Sequence, residues 1–147
     1  RGQATQLELL IRAGACLTSC NKEGDTPLHI AATWGHLECV RLLVENGALV
    51  DVTNHLGATP LHLSLAHRHT DVASFLIHSA AADLELQDIA GDTVLHAAVR
   101  DGLLSVVQSL CQLGCDTDVP NKQGLYPLHL AARYGHTEIV RCLCLAG

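Results

Sequence analysis

Ten histidines and seven cysteines are the residues of this 147-residue chain whose side chains could hold a metal ion or act as a nucleophile. A structural zinc site brings four such ligands together, and two cysteines separated by two residues are a common signal for one. No such cysteine pair occurs in the sequence. The motifs Gly-x-Ser-x-Gly, His-Glu-x-x-His and the Walker phosphate-binding loop do not occur either. We therefore predict that the chain is not an enzyme and holds no metal and no cofactor.

The cysteines fit reduced thiols better than a disulfide framework, because their number is odd. Reduced thiols predict a cytoplasmic or nuclear protein. Cys16 and Cys20 fall in a predicted turn, where a redox or modification role stays open. The other cysteines of interest fall on predicted helices, where Cys packs as a small apolar residue: Cys39, Cys111, Cys142 and Cys144.

Seven of the ten histidines belong to a repeated pattern. One tetrapeptide recurs at intervals of 33, 34 and 33 residues, and a glycine stands two residues before each copy. Three further histidines (His36, His69 and His136) follow the copies at a fixed distance, so we interpret all seven as hydrogen-bonding residues that tie one repeat to the next. The four copies read Thr26-Pro27-Leu28-His29, Thr59-Pro60-Leu61-His62, Thr93-Val94-Leu95-His96 and Tyr126-Pro127-Leu128-His129.

The repeated pattern predicts a pair of helices in each repeat. Thr followed by Pro is a helix start, because the Thr hydroxyl can cap the helix and Pro suits the first helical position. The first helix of the first full repeat therefore begins after Thr26 and ends at Gly35. Apolar residues at spacings of three and four predict a second helix over residues 37–45. The polar, glycine-bearing remainder predicts an extended turn or hairpin, which we call the finger.

These landmarks are those of the ankyrin repeat, and the sequence resembles that family over essentially its whole length. The resemblance implies an α-solenoid in which β-hairpin and helix-turn-helix units stack, since one unit is too small to bury its own apolar face. We expect a single domain over residues 1–147. It would comprise a half repeat at 1–20, full repeats at 21–53, 54–87 and 88–120, and a truncated repeat at 121–147. Neither end has the polar face of a capping repeat, so we expect an excerpt of a longer protein with further repeats.

Four positions depart from the repeated pattern. Arg68 stands where the first helix should end in glycine, and we expect a cost if that residue adopts a left-handed conformation. The same repeat has Ala80 in place of a glycine and one extra residue. Tyr126 replaces the capping Thr of the fourth repeat, and Val94 replaces the Pro of the third. We expect the second repeat to be the least regular.

Composition excludes several classes of function. A formal net charge of −6 would repel nucleic acid and anionic lipid, so we predict neither as a partner. No apolar run approaches the roughly 18 residues of a membrane span, so we predict no membrane insertion. The remaining class is a non-catalytic module that binds a protein, and we expect it to be monomeric.

The last two repeats also resemble the ankyrin array of death-associated protein kinases and their relatives. The alternative function is accordingly a docking or autoinhibitory region of a larger multidomain enzyme such as a kinase. A spacer that binds nothing is a third possibility. The residues that carry this narrower resemblance are Ser109-Leu110-Cys111, Gly114-Cys115, Asn121-Lys122 and Arg141-Cys142-Leu143-Cys144-Leu145.

The ankyrin resemblance implies that partners contact the finger tips and the concave face formed by the first helices. Trp34 and Tyr134 precede helix-ending glycines on that face, and rigid aromatic side chains are effective anchors in interfaces. We expect a partner that contacts both to span the groove, with polar residues between them giving specificity. The predicted contact residues are Glu23, Asp25, Thr33, Trp34, His55, Leu56, His67, Asp92, Arg100, Asp101, Leu125, Arg133 and Tyr134, and the corresponding tip position of the third repeat is Ile89.

Overall fold

The computed structural model describes residues 20–146. The predicted half repeat at 1–20 and Cys16 therefore lie almost wholly outside the described residues. Within them the chain forms four helix pairs, one for each predicted repeat. The helices are α1 (Pro27–Thr33), α2 (Leu37–Glu45), α3 (Pro60–Ala66), α4 (Thr70–His78), α5 (Val94–Arg100), α6 (Leu104–Gln112), α7 (Pro127–Arg133) and α8 (Thr137–Ala146).

The first helix of each of the first three repeats begins at the predicted threonine. In α1 the Thr26 hydroxyl accepts a hydrogen bond from the His29 backbone N–H, and His29 Nδ1 accepts one from the Thr26 N–H at 3.1 Å. The same reciprocal bonds open α3 and α5, and in α5 they suffice without a proline. Two of the helix's unpaired N-terminal donors are thereby satisfied. The predicted helix starts are confirmed.

The fourth repeat begins without a side-chain cap. Tyr126 has extended backbone angles, but its hydroxyl makes no capping bond. Its N–H donates to His129 Nδ1 at 2.9 Å, so only half of the reciprocal arrangement remains. The predicted loss of a cap at Tyr126 is confirmed.

The first helices end where the backbone turns left-handed. Gly35, Gly102 and Gly135 have φ between 70° and 72°, and Arg68 adopts the equivalent conformation with φ 63°. A residue with a Cβ is strained at such angles. The sequence prediction for Arg68 is therefore confirmed.

The extra residue of the second repeat lies at the end of α4. The left-handed residue there is Ala81, with φ 53°, and the prediction that Ala80 takes the glycine position was wrong by one residue. Ala82 donates to the carbonyl of Leu76 six residues earlier, whereas the equivalent Ala48 donates to Leu43, five residues earlier. The additional residue is absorbed in this longer helix ending, and the finger keeps its length.

The fingers are tight turns closed by a side chain. Asn21 Oδ1 accepts from the backbone N–H groups of Glu23 and Asp25, both at 3.0 Å, and the Asn21 N–H donates to the Asp25 carbonyl. Asn54, Asp88 and Asn121 close the other fingers in the same way. Within residues 20–146 no finger forms a strand ladder, so the predicted hairpins are Asx turns with extended arms.

Histidines tie neighbouring repeats together as predicted. Because His29 Nδ1 accepts a hydrogen bond, its Nε2 carries the hydrogen and donates to the Ala58 carbonyl of the following repeat at 3.0 Å. His96 makes the same bond to Leu125 at 3.0 Å. These buried rings are structural.

The core is built from small apolar side chains. Val40 and Leu43 of α2 are fully buried, and their counterparts on the other second helices repeat the pattern. Cys39 is buried, which confirms its predicted core role, and Cys111 and Cys142 are half-buried. Cys144 is exposed, so its predicted core role was wrong among the described residues.

The contacts divide the chain into two compact units, Arg1–Ala82 and Asp83–Gly147. In the first unit α1 packs on α2 and α3, and α4 packs on α2 and α3. In the second unit α5, α6, α7 and α8 repeat that arrangement. Within residues 20–146 each unit is thus a stack of two helix pairs, which confirms the helical repeat fold. No helix within residues 20–146 is long and apolar enough to cross a membrane.

Candidate protein-interaction surface

In the first unit, hydrogen bonds join the two fingers. The His55 N–H donates to the Glu23 carbonyl at 3.0 Å, and Asn54 Nδ2 donates to Asp25 Oδ1 at 2.8 Å. The His55 ring also covers Gly24, where an added Cβ would come within 2.7 Å of it. Glu23 and His55 remain exposed, whereas Asp25 is half-buried and directed at its neighbour. The fingers therefore present a fixed surface.

Asp92 is a structural residue of the second unit. It is 5% exposed, and its carboxylate accepts from Arg100 Nη2 at 2.7 Å and from Asn121 Nδ2 at 3.0 Å. The predicted surface contact at Asp92 was wrong for a physical reason: both oxygens are directed inward at these two donors. Asp92 is therefore withdrawn from the candidate surface.

Arg100 is partly committed to this internal pair. Burial alone would lower the pKa of its guanidinium, but the hydrogen bond and negative charge of Asp92 outweigh that effect and raise the pKa. Its side chain is 39% exposed, so part of it still faces solvent. Arg100 can contact a partner while it remains bound to Asp92.

Trp34 is the largest exposed side chain in the first unit, at 67% exposure. It lies at the carboxyl end of α1, and the residues on either side of it are held firmly. The Thr33 hydroxyl donates to the His29 carbonyl at 2.8 Å, and His69 Nε2 donates to the Thr33 carbonyl at 3.0 Å. The His69 ring lies against Gly35, where an added Cβ would approach Nδ1 to 2.5 Å. The backbone is thus fixed while the indole faces solvent.

Tyr134 occupies the equivalent position in the second unit and is 49% exposed. Its ring stacks on that of His136 with centroids 6.3 Å apart, and His136 Nε2 donates to the Arg100 carbonyl at 3.4 Å. Arg133, the preceding residue, is exposed and forms no ion pair within residues 20–146. The end of α7 therefore offers an aromatic ring beside a guanidinium.

The other predicted contacts are exposed to different degrees. Leu56 and Ile89 are exposed apolar residues at finger turns. His67 is exposed, and its Nδ1 donates to the Leu63 carbonyl at 3.0 Å. Asp101 and Leu125 are half-buried, so they can offer only part of their side chains.

The described residues contain no group of three or more histidine, cysteine and carboxylate side chains placed to hold a metal ion. Cys111 and Cys115 of the second unit are also poor nucleophiles. Burial, reinforced by the neighbouring Cys142, raises the pKa of Cys111 to about 11, and burial with nearby Cys111 raises the pKa of Cys115 to about 12. A thiol with such a pKa holds almost no thiolate near pH 7. The sequence predicted a packing role for Cys111 and none for Cys115, and no sequence signal gives their proximity.

Comparison with known proteins identifies the repeats. A family model described as ankyrin repeats, three copies, matches residues 1–88 and again 80–147. The chain belongs to the ankyrin-repeat family. Ankyrin repeats are generally non-catalytic protein-interaction modules. This general description applies to the chain and names no specific partner.

Several known proteins are similar to parts of the chain. Notch-regulated ankyrin repeat-containing protein B of Danio rerio is 46% identical over 50 residues, which are 34% of this chain and 45% of that protein. The Notch-regulated ankyrin repeat-containing protein of Homo sapiens is 44% identical over 50 residues, which are 34% of this chain and 44% of that protein. Synphilin-1 of Mus musculus is 29% identical over 133 residues, covering 87% of this chain and 14% of that protein.

These matches cover only part of each relative. The chain spans less than half the length of the Notch-regulated relatives that it matches. None of these three relatives is a death-associated protein kinase, so the narrower resemblance to that group stays a prediction.

Proposed function

We propose that this ankyrin-repeat chain binds a protein partner through its finger tips and the carboxyl ends of its first helices, with Trp34 as the principal anchor. The observation that carries the proposal is the 67% exposure of Trp34 on a backbone held by hydrogen bonds on both sides. An exposed indole on a rigid backbone gains a large contact area for little lost conformational entropy.

Tyr134 provides the equivalent contact on the second unit. The phenol and the exposed Arg133 guanidinium are residue types that interface hot spots favour. Arg100 lies near Tyr134 and supplies a second cation at the same place. The second unit therefore offers partners an aromatic and cationic contact, although the chain as a whole is acidic.

Polar and apolar residues complete the set of proposed contacts. Burial excludes Asp92, and it leaves Asp25, Thr33, Asp101 and Leu125 as partial contacts. The members that we retain as accessible are Glu23, Trp34, His55, Leu56, His67, Arg100, Arg133 and Tyr134. A net charge of −6 supports a protein rather than nucleic acid as the partner.

Cross-linking with mass spectrometry tests this proposal. The purified chain is used as bait, and proteins enriched over an empty support are cross-linked to it and digested. We expect cross-links from Lys22 and Lys122, one in the finger of each unit and both exposed. Enrichment must fall with Trp34→Ala and persist with Leu113→Ala, which truncates an exposed apolar residue just after α6.

Two outcomes would replace the proposal. If no protein is enriched above background, the chain is a spacer. If the enriched contact is a catalytic domain of the same polypeptide, the docking or autoinhibitory alternative is correct.

A further inference from the structure

Two cysteine side chains of the second unit are in contact across a repeat boundary. The thiols of Cys111 and Cys142 are joined by a hydrogen bond, and both residues are half-buried. Cys111 belongs to α6 and Cys142 to α8, and these two helices pack against each other. The contact therefore brings together two groups that an oxidant can link, one from the third repeat and one from the fourth.

The two thiols also border a common pocket that opens to solvent, with a volume of about 410 Å³. On the α6 side its rim carries the exposed polar side chains of Gln108 and Gln112. A small polar oxidant can therefore reach the two sulfur atoms without prior unfolding of either repeat.

The first unit shows that these two positions lie at the contact between second helices. In the register of the repeats Cys111 corresponds to Val44 of α2, and Cys142 corresponds to Phe75 of α4. The guanidinium carbon of Arg41, one turn before Val44, lies 5.6 Å from the centre of the Phe75 ring. A disulfide requires two residues at facing positions, and the repeat geometry supplies such positions to the two cysteines.

The environment of Cys111 affects how fast it reacts. Burial, reinforced by the neighbouring Cys142, raises the pKa of Cys111 to about 11, so its thiol stays protonated near pH 7. A small thiolate fraction slows thiol–disulfide exchange. The equilibrium depends instead on how closely the two sulfurs are held, because a preformed contact converts the closing step into an intramolecular one.

We propose that Cys111 and Cys142 form a reversible disulfide that cross-links the third and fourth repeats, with a small-molecule disulfide of the glutathione class as the oxidant. The link holds α6 against α8 and restricts the unfolded chain between the two cysteines. A disulfide that closes such a loop stabilises the folded state.

The reaction takes place in two exchange steps. The Cys142 thiolate attacks one sulfur of oxidised glutathione, which forms a mixed disulfide and releases one glutathione thiolate. The Cys111 thiolate then attacks Cys142 Sγ and releases the second glutathione thiolate. The two protons from the protein thiols pass to the two released thiolates, and the two electrons that the protein loses reduce the glutathione disulfide.

Peptide mapping after equilibration with reduced and oxidised glutathione tests the proposal. The chain used carries Cys115→Ala and Cys144→Ala, because Cys115 stands in the register of Ala48 and Ala82, and Cys144 is exposed. After acid quenching and alkylation, trypsin yields peptides 101–122 and 142–147, each with one cysteine. We expect these two peptides to be joined in the monomeric chain, and to separate after treatment with dithiothreitol.

The melting temperature gives a second readout. We expect the oxidised chain to melt about 5 °C or more above the same chain in dithiothreitol. Cys142→Ser is the matched control, because Ser109 is the residue that α6 carries at the equivalent position. We expect the melting temperature of this variant to be the same under oxidising and reducing conditions, whatever its absolute value.

Two results would overturn the proposal. One is an equilibrated chain in which Cys111 and Cys142 remain thiols or carry one glutathione each, because the two sulfurs then do not reach each other. The other is an internal link in peptide 101–122 of the unsubstituted chain, because Cys115 would then be the partner of Cys111.

Discussion

Replacement of the buried carboxylate of Asp92 by a methyl group gives a defined loss of stability. Asp92→Ala removes the acceptor of two hydrogen bonds, from Arg100 at 2.7 Å and from Asn121 at 3.0 Å. Asn121 is 8% exposed and cannot turn its amide to water, so its donor loses a partner in the interior. A buried donor without a partner costs about 1–3 kcal/mol.

The Arg100 contribution is smaller because its side chain is 39% exposed and water replaces part of the lost interaction. A partly exposed ion pair contributes about 0.5–1 kcal/mol. The two effects together predict a loss of about 1.5–4 kcal/mol in the free energy of unfolding. Asp92→Asn retains an acceptor oxygen for Asn121 but loses the charge and the second acceptor, which faces Arg100, so we expect a smaller loss than for Asp92→Ala.

Urea unfolding followed by circular dichroism at 222 nm measures these differences. Asp118→Ala is the control, because Asp118 is exposed and its carboxylate makes no hydrogen bond among those described; we expect a change within about 0.5 kcal/mol. Equal stability of Asp92→Ala and the control would refute this reasoning. Weaker partner binding by Asp92→Ala at unchanged stability would refute it too, since Asp92 would then be a surface contact.

Three further predictions concern stability and local opening. Tyr126→Thr restores the missing helix cap, and we expect up to about 1 kcal/mol of added stability in the same urea assay; a loss would show that the Tyr126 ring contributes more by packing on His129. Burial lowers the pKa of His29 below 6.5 in spite of the Ala58 carbonyl, so the folded state binds this proton less readily than the unfolded state. Stability should therefore fall as pH decreases through 6.5 towards the folded pKa, less steeply in His29→Gln, and an equal slope in the two proteins would contradict this assignment. Hydrogen exchange should be faster over residues 66–83 than over residues 33–50, because Arg68 and Ala81 hold left-handed angles in the former segment; equal rates would show that packing compensates for that strain.

The sequence predicts the helices well because their signals are local. Thr26 caps α1 through hydrogen bonds with His29, three residues later. Each first helix ends at a single residue with a left-handed backbone. The exposure of Cys144 depends on packing, and the position of the left-handed Ala81 depends on how α4 ends. Alignment of the repeats does not predict either of them for a single residue. The repeat period still identified the correct four helix pairs.

The candidate site is less predictable because exposure depends on the neighbouring repeat. Asp92 was assigned to the surface from its position in the repeat, but its environment is set by Asn121, 29 residues later. A signal was present in the sequence: Asp25 and Asn54 have the same separation and make the same bond. The pairing of Asp in one repeat with Asn in the next therefore identifies a structural link. The positions of Trp34 and Tyr134 just before glycine were correctly predicted to be exposed.

The Trp34 contact is the most direct test of the proposed function. Trp34 is the only tryptophan of the chain, so its fluorescence reports on this position alone. With the partner recovered by cross-linking, we expect the emission to shift to shorter wavelength as the indole is buried. We expect Trp34→Ala to weaken binding by about 2 kcal/mol or more, roughly 30-fold in Kd, with little change in the unfolding midpoint. Unchanged affinity together with a much earlier unfolding midpoint would place Trp34 in the fold rather than in the interface and contradict the account.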